Sequence, residues 1–201
     1  MQRIRILVLG LALVGCEDSS APPVPAVAGP SGKIAYSPSM PPALSGQAGR
    51  HFFDFPASAG SINYVIERAP AVKLGQTITM VFSLEGTGRL VATEGSSPAK
   101  VRLFMQRKGD TLTAKEPYKR WWSIASFDLA SPGEFMLSAK ITPSDWSSVF
   151  GAVGSAVPAE FADCVAHLAH LGFTFGGDFA GHGVYVTDGA VRFVLKEYSV
   201  S

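Results

Sequence analysis

The stretch QTITMVFSL, residues 76–84, decides the fold class of this 201-residue chain. Apolar side chains stand at every second position and alternate with smaller or more polar ones: Ile78, Met80, Phe82 and Leu84 against Thr77, Thr79, Val81 and Ser83. Successive side chains of a β-strand point to opposite faces of the sheet. The alternation therefore predicts a strand with one buried face and one wetter face.

The same period recurs along the rest of the chain. Residues 101–106 and 191–196 alternate in this way, and further strand candidates lie at 51–55, 62–67, 119–128, 135–141, 173–175 and 183–186. Turn-forming Gly, Pro and Asp residues fall between several of them, at 86–88, 109–110 and 131–133. Many short strands at this spacing predict a mainly β fold, an antiparallel β-sandwich of the jelly-roll kind, over residues 49–201.

One or two short helices are expected to interrupt the sandwich. Residues 143–150 begin with a proline after Thr142, a combination typical of a helix N-terminus. Residues 158–171 form the stronger candidate, because their apolar positions fall on one stripe at helical spacing and Gly172 follows as a stop. Cys164 lies on that stripe, so we expect its thiol to face the core.

Charge and cysteine content exclude several classes of protein. The chain has 17 basic and 16 acidic side chains, and no stretch of it is strongly basic. The sequence therefore lacks the basic patch that is typical of a nucleic-acid-binding surface. No cofactor-binding motif occurs, so no cofactor is expected. Cys16 and Cys164 are the two cysteines, and lipidation of Cys16 would leave no intramolecular disulfide.

The first 16 residues carry an export pattern. Two arginines, Arg3 and Arg5, precede the apolar run 6–14, which is too short to span a bilayer. The run ends in Leu13-Val14-Gly15-Cys16, which resembles the lipobox of bacterial lipoproteins. The resemblance implies that residues 1–15 are a signal peptide and that Cys16 carries the lipid. It further implies a membrane partner through the lipid anchor, in the bacterial cell envelope. The residue after the cysteine is Glu17 and not the aspartate associated with retention in the inner membrane, so the outer membrane is favoured.

Residues 16–48 are predicted to be the lipidated cysteine and a tether. Seven prolines fall in this stretch among Ala, Ser and Gly, and proline-rich chain is extended and semi-rigid. The short run 33–36 has an alternative interpretation as an edge strand that docks on the domain.

Aromatic residues supply the candidate ligand site. Tyr118, Arg120 and Trp122 share one face of a predicted strand, and Arg102, Phe104 and Gln106 share the wetter face of another. If the two strands place these residues on the same face of one sheet, the residues would form a groove. In that groove aromatic rings would stack on sugar rings and arginines would donate hydrogen bonds to sugar hydroxyl groups. The alternative is that Trp122 packs beneath a loop, covered by the segment around Trp146.

Two further patterns have the residue types of chemical sites. Asp163, His167 and His170 would cluster on the polar face of the second predicted helix, which is a weak pattern for zinc or copper, so no metal is expected.

The stretch GGDFAGHGVYV, residues 176–186, contains an Asp and a His among glycines. Its following residues are β-forming, which excludes a phosphate-binding loop. No G-x-S-x-G motif, which carries the nucleophilic serine in many hydrolases, accompanies the Asp and the His. A glycine-rich loop before a strand is therefore favoured over a hydrolytic site.

The β-rich layout and the closing strand AVRFVLKEYSV, residues 190–200, resemble the non-catalytic jelly-roll modules that bind carbohydrates. The resemblance implies a non-catalytic module that binds a glycan, and the lipobox implies that this module is lipid-anchored. The alternative is a structural or assembly lipoprotein that binds a protein partner at the envelope. An exported hydrolase is disfavoured, because no catalytic set converges in the sequence.

Overall fold

The computed structural model describes residues 33–35, 45–47, 50–57, 60–94, 97–178 and 180–201, with side chains from residue 51 onward. The lipobox, Cys16 and most of the predicted tether lie outside these residues. Among the described residues, no helix has the length and apolar character needed to cross a membrane.

Two antiparallel sheets and a two-stranded ribbon make up the described part of the chain. The six-stranded sheet I has the order β1 (Lys33–Ala35), β4 (Tyr64–Arg68), β11 (Leu168–Gly176), β7 (Lys100–Arg107), β8 (Arg120–Asp128) and β10 (Trp146–Ser148). The five-stranded sheet II has the order β2 (Ser45–Gln47), β3 (Arg50–Asp54), β13 (Val191–Val200), β5 (Thr77–Gly86) and β9 (Gly133–Lys140). A separate ribbon pairs β6 (Arg89–Ala92) with β12 (Val184–Thr187). The prediction of an antiparallel β-sandwich is confirmed.

The core lies between the two sheets and is rich in aromatic rings. Phe193 of β13 stacks on Phe173 of β11 with ring centroids 5.3 Å apart. Phe193 also contacts Phe175 in an edge-to-face arrangement with ring centroids 5.5 Å apart. The inward residues of β5 are buried as the alternation predicts, with Ile78, Met80 and Phe82 all at 0% exposure. These contacts across the interface hold the sheets together by burial of apolar surface.

Two strands come from the stretch predicted as a tether. β1 pairs with β4 at one edge of sheet I, and β2 pairs with β3 at one edge of sheet II. β1 agrees with the alternative interpretation of residues 33–36 as an edge strand. Each pairing covers backbone groups that an open sheet edge would expose.

The second predicted helix is shorter than expected. Helix α1 covers Pro158–Ala166, and the chain then enters β11 at Leu168. His167 already has non-helical backbone angles, φ −120° and ψ 33°. Beyond it, alternate residues of β11 face the core, while β4 and β7 supply its backbone hydrogen bonds. The extension of the helix to residue 171 was therefore wrong, because two-residue periodicity replaces helical periodicity after residue 167.

The first predicted helix is reduced to one turn. Pro143–Asp145 form a 3₁₀ turn, and residues 146–148 become β10, which pairs with β8. A second 3₁₀ turn, Gly154–Ala156, leads into α1. Cys164 of α1 is fully buried in the core as expected, and burial raises the pKa of its thiol to about 12.

Candidate functional site

A groove of about 430 Å³ crosses the outer face of sheet I. Its residues alternate along the strands with those of the core, so the groove lies on the face opposite sheet II. Strands β4, β7, β8 and β10 supply its floor and one side, and the loop between β11 and β12 supplies the other. Its lining residues are Tyr64, Arg102, Arg120, Trp122, Ser147, Ser148, Val149, Phe150, Gly151, Asp178, Ala180 and His182. Ligand sites in proteins have volumes of about 300–1,000 Å³.

A small aromatic cluster lies beneath the groove, separate from the main core. Phe104 and Trp122 are direct neighbours across β7 and β8, with ring centroids 5.5 Å apart. Tyr64 meets Phe104 edge-on at 5.1 Å, and Ile66 completes the cluster. Trp122 is 7% exposed, so it offers a ligand part of its indole rather than an open ring face.

Arg102 is held by an irregularity in β8. Ser126 is four positions beyond Trp122, whereas their partners Arg102 and Phe104 are two positions apart, so β8 bulges between them. Nη1 of Arg102 donates to the carbonyl oxygens of Ser123 and Ile124, each at 3.1 Å. Its Nε is buried and has no hydrogen-bond partner among the described residues. Burial lowers the pKa of the guanidinium.

Arg120 belongs to a buried polar network under the other end of the groove. Its Nε lies 3.3 Å from Oδ2 of Asp110, and the guanidinium sits 6.0 Å from the Trp122 ring centroid. Nε2 of Gln106 donates to the same Asp110 oxygen at 2.7 Å. Oε1 of Gln106 in turn lies 2.8 Å from Nδ1 of His170. The network fixes Arg120 in place and pairs its charge.

Two glycines of the segment between β11 and β12 form hydrogen bonds with side chains from other parts of the chain. Glu94 accepts a hydrogen bond from the Gly177 amide at 2.6 Å, and Asn63 donates to the Gly181 carbonyl at 2.9 Å. Gly181 has φ +80°, and a Cβ there would lie 2.2 Å from the hydroxyl oxygen of Tyr64. Only glycine fits this position, because the Tyr64 ring occupies the space of a side chain. The glycine-rich stretch is thus a wall of the groove, packed against Tyr64.

Asp178 is the carboxylate among the described lining residues. Ser97 donates to it at 2.6 Å, and Lys100 forms an ion pair with it at 3.2 Å. The hydrogen bond from Ser97, followed by the interactions with Lys100, lowers the pKa of this carboxyl group. Asp178 is therefore ionised at neutral pH and can accept hydrogen bonds from hydroxyl groups.

The segment after β10 forms the opposite rim. Val149 packs on the cluster beneath the groove, and the Phe150 side chain next to it is 72% exposed. Ser147 and Ser148 add hydroxyl groups, of which Ser148 Oγ is buried and lacks a partner among the described residues. The rim therefore combines an open aromatic ring with hydrogen-bonding groups.

The predicted ligand-site residues divide into three groups. Arg102, Arg120 and Trp122 line the groove. Phe104 and Gln106 lie on the same face but beneath it, at 0% and 6% exposure. Tyr118 precedes β8, which begins at Arg120, so strand alternation does not apply to it; its ring stacks on Trp121 on the core side at 6.2 Å.

The alternative for Trp122 is correct in part. Val149 packs on the cluster that contains Trp122, whereas Trp146 is fully buried in the main core and its indole N–H donates to the Lys140 carbonyl at 2.8 Å. Trp122 both packs beneath a loop and lines the groove.

The weak metal candidates do not share a helix face. Asp163 on α1 binds Arg107 at 2.6 Å and lies 3.0 Å from His167. His170 lies on β11, next to Gln106. Within the described part of the chain, no group of three or more His, Cys, Asp and Glu side chains is placed to hold a metal ion.

Sequence reasoning missed Tyr64 and Phe150 as groove residues. Tyr64 begins β4, and its ring reaches Phe104 of β7 across the intervening strand β11; this contact depends on the strand order, which sequence periodicity does not give. Phe150 falls at the end of the first predicted helix, a placement that gives no sign of a groove.

No protein-family model and no curated protein sequence matches the chain. Among solved structures, a chain described as "xylan-binding module CBM15" is similar, with a TM-score of 0.41 and 16% identity. The similarity covers 83% of this chain and 90% of that chain.

Proposed function

We propose that this chain is a glycan-binding β-sandwich module held at the bacterial envelope by a lipid on Cys16, in the outer membrane. The observation that carries the binding role is the groove on sheet I. It brings an exposed ring, Phe150, to the rim of a cleft whose other lining groups include Arg102, Arg120 and Asp178. A sugar offers an apolar ring face and a surrounding set of hydroxyl groups, and this lining offers both matching chemistries.

Phe150 provides the sharpest test, because its side chain is 72% exposed and can be truncated with little effect on the fold. Met136 on β9 is a matched control at 67% exposure, on the other sheet. The full chain, purified in detergent, is titrated with a panel of cell-wall and plant polysaccharides, xylan among them. We expect Phe150→Ala to weaken binding about fivefold to tenfold, from the apolar area that stacking buries. Met136→Ala is expected to bind like the parent chain.

Tryptophan fluorescence gives a second readout of the same titration. Trp121 and Trp146 are fully buried in the main core, so Trp122 is the tryptophan that a ligand in the groove can reach. A glycan that binds in the groove should shift the emission, and Trp122→Phe should remove the shift. Failure of every polysaccharide to bind would overturn the glycan role and favour the protein-partner alternative.

The anchor has its own test. In bacteria that express the full chain, labelled palmitate should be incorporated into it, and the chain should sediment with the outer membrane. Cys16→Ser should lose both the label and the sedimentation, whereas Cys164→Ser should keep them, because Cys164 is buried in the core. Incorporation of label into the Cys16→Ser chain would overturn the anchor.

A further inference from the structure

Arg102 differs from the other charged groups of the groove in its pairing. Arg120 is paired with Asp110, and Asp178 is paired with Lys100. The partly buried guanidinium of Arg102 forms no ion pair among the described residues; its hydrogen bonds go to two neutral backbone carbonyls. Asp178 and Asp128 act on this guanidinium electrostatically, but neither forms an ion pair with it, so Arg102 is a groove cation without a direct carboxylate partner among the described residues.

The position of this guanidinium is set before any ligand arrives. The bulge in β8 holds Nη1, and Ser123 stabilises the bulge: its hydroxyl accepts from the Leu103 amide at 2.9 Å and donates to the Ala125 carbonyl at 2.6 Å. Nε of Arg102 has no partner among the described residues. Partial burial of a cation costs free energy, and a direct anionic partner offsets that cost. Because Nη1 is already bound to two carbonyls and Nε is buried, Nη2 is the nitrogen of Arg102 left to donate a charge-assisted hydrogen bond to a ligand carboxylate.

Building on the proposed function, we infer that the groove selects saccharides that carry a carboxylate, and that Arg102 binds that group. Phe150 and Trp122 then contact the sugar rings, and Arg102 sets the preference for an acidic residue. Uronic-acid polymers and the lactyl ether of muramic acid in cell-wall glycan both present this chemistry.

Matched ligand pairs test the inference in the full chain. One pair is polygalacturonate and its methyl ester; the other is muramic-acid-containing glycan strands with the lactyl carboxylate free or amidated. Each pair shares its sugar backbone and differs in charge. We expect the parent chain to bind the free acid of at least one pair about tenfold to a hundredfold more tightly than its neutral partner, as a charge-assisted hydrogen bond allows. The pair that shows the preference identifies the source of the carboxylate.

Variants assign the preference to Arg102. Arg102→Gln is expected to bind acid and neutral forms equally, and Arg102→Lys to keep part of the preference through its charge. Arg89→Gln, an exposed arginine on β6, is the matched control and should keep the full preference. A thermal melt of each variant shows whether it is folded. If Arg102→Gln unfolds, Arg102→Lys decides the assignment: a preference for the acid forms as large as the parent's would overturn the role of Arg102.

Two outcomes overturn the inference in distinguishable ways. Equal affinity for acid and neutral members of both pairs would overturn the role of Arg102 and leave the glycan-binding function in place. Absence of binding to any member of the full polysaccharide panel would overturn the glycan-binding function itself.

Discussion

Gly172, in the middle of β11, controls the spacing between β4 and β11 under the groove. A Cβ at this position would lie 1.9 Å from the carbonyl oxygen of Val65 on β4, a backbone atom that cannot move aside without shifting the strand. Its own carbonyl accepts a hydrogen bond from the Tyr198 hydroxyl at 3.2 Å, across the sandwich. A glycine here is therefore a requirement of strand packing, although the sequence suggests a helix stop.

Gly172→Ala should lower the free energy of unfolding by about 2–3 kcal/mol, because overpacking at a backbone contact costs this much. Urea denaturation measures the change. Gly75→Ala is the comparison: Gly75 has φ +90°, and a Cβ there would meet no heavy atom within 4 Å, so backbone strain of about 1 kcal/mol is its expected cost. A loss for Gly172→Ala no greater than that for Gly75→Ala would contradict this account.

At the scale of elements, strand periodicity predicted most of the sandwich. β5, β7 and β13 each bury the alternating residues that the sequence indicates, and β3, β8 and β9 begin or end within a few residues of their predicted bounds. These strands could be predicted because each buries one face against the opposite sheet. That burial is visible in the sequence as an alternation of apolar and more polar residues.

The segment 158–176 shows where local pattern is insufficient. Leu168 and Leu171 fit a helical stripe that continues from Phe161, and Leu171 also fits the alternation that leads to Phe175. The strand prevails because β4 and β7 offer backbone partners on both sides, a tertiary contact that short-range periodicity does not contain. The same reasoning explains why His170 lies on a sheet and not on a helix face.

The groove could be predicted only in part, for a related reason. Alternation correctly placed Arg102 and Trp122 on one face, and adjacency of β7 and β8 brings them into one groove. The depth of each residue, however, depends on what covers it: Val149 and Ala180 pack over the cluster that contains Phe104. The two extra residues in the β8 bulge, which position Arg102, have no signature in the periodicity.

At the scale of the whole molecule, ion pairs between aspartates and basic side chains join segments that are distant in sequence. Asp54 of β3 binds Arg192 of β13 through two hydrogen bonds of 2.7 and 2.9 Å. Asp163 joins α1 to Arg107 of β7, and Asp178 joins the groove wall to Lys100 of the same strand. Such pairs are exposed, so each adds little by itself, but together they tie the helix and the wall loop to the sheets.

The pH dependence of stability follows from these pairs. Hydrogen bonds from Arg192 and Arg107 lower the pKa of Asp54 and Asp163 below 3.8, the ordinary value. A carboxyl group whose pKa is lower in the folded state stabilises that state fully above its unfolded pKa, and the contribution is lost as the pH falls through the folded value. The free energy of unfolding should therefore hold steady near neutral pH with respect to these groups and decrease below about pH 4.

Urea denaturation at pH 7, 5, 4 and 3 measures this dependence. The double variant Asp54→Asn, Asp163→Asn should be less stable than the parent at pH 7 and should lose less stability between pH 5 and pH 3, because an amide does not titrate. Met136→Ala removes no charge and should reproduce the parent's acid profile, whatever its absolute stability. If the double variant lost as much stability on acidification as the parent, the acid sensitivity would belong to other groups, and these two pairs would not account for it.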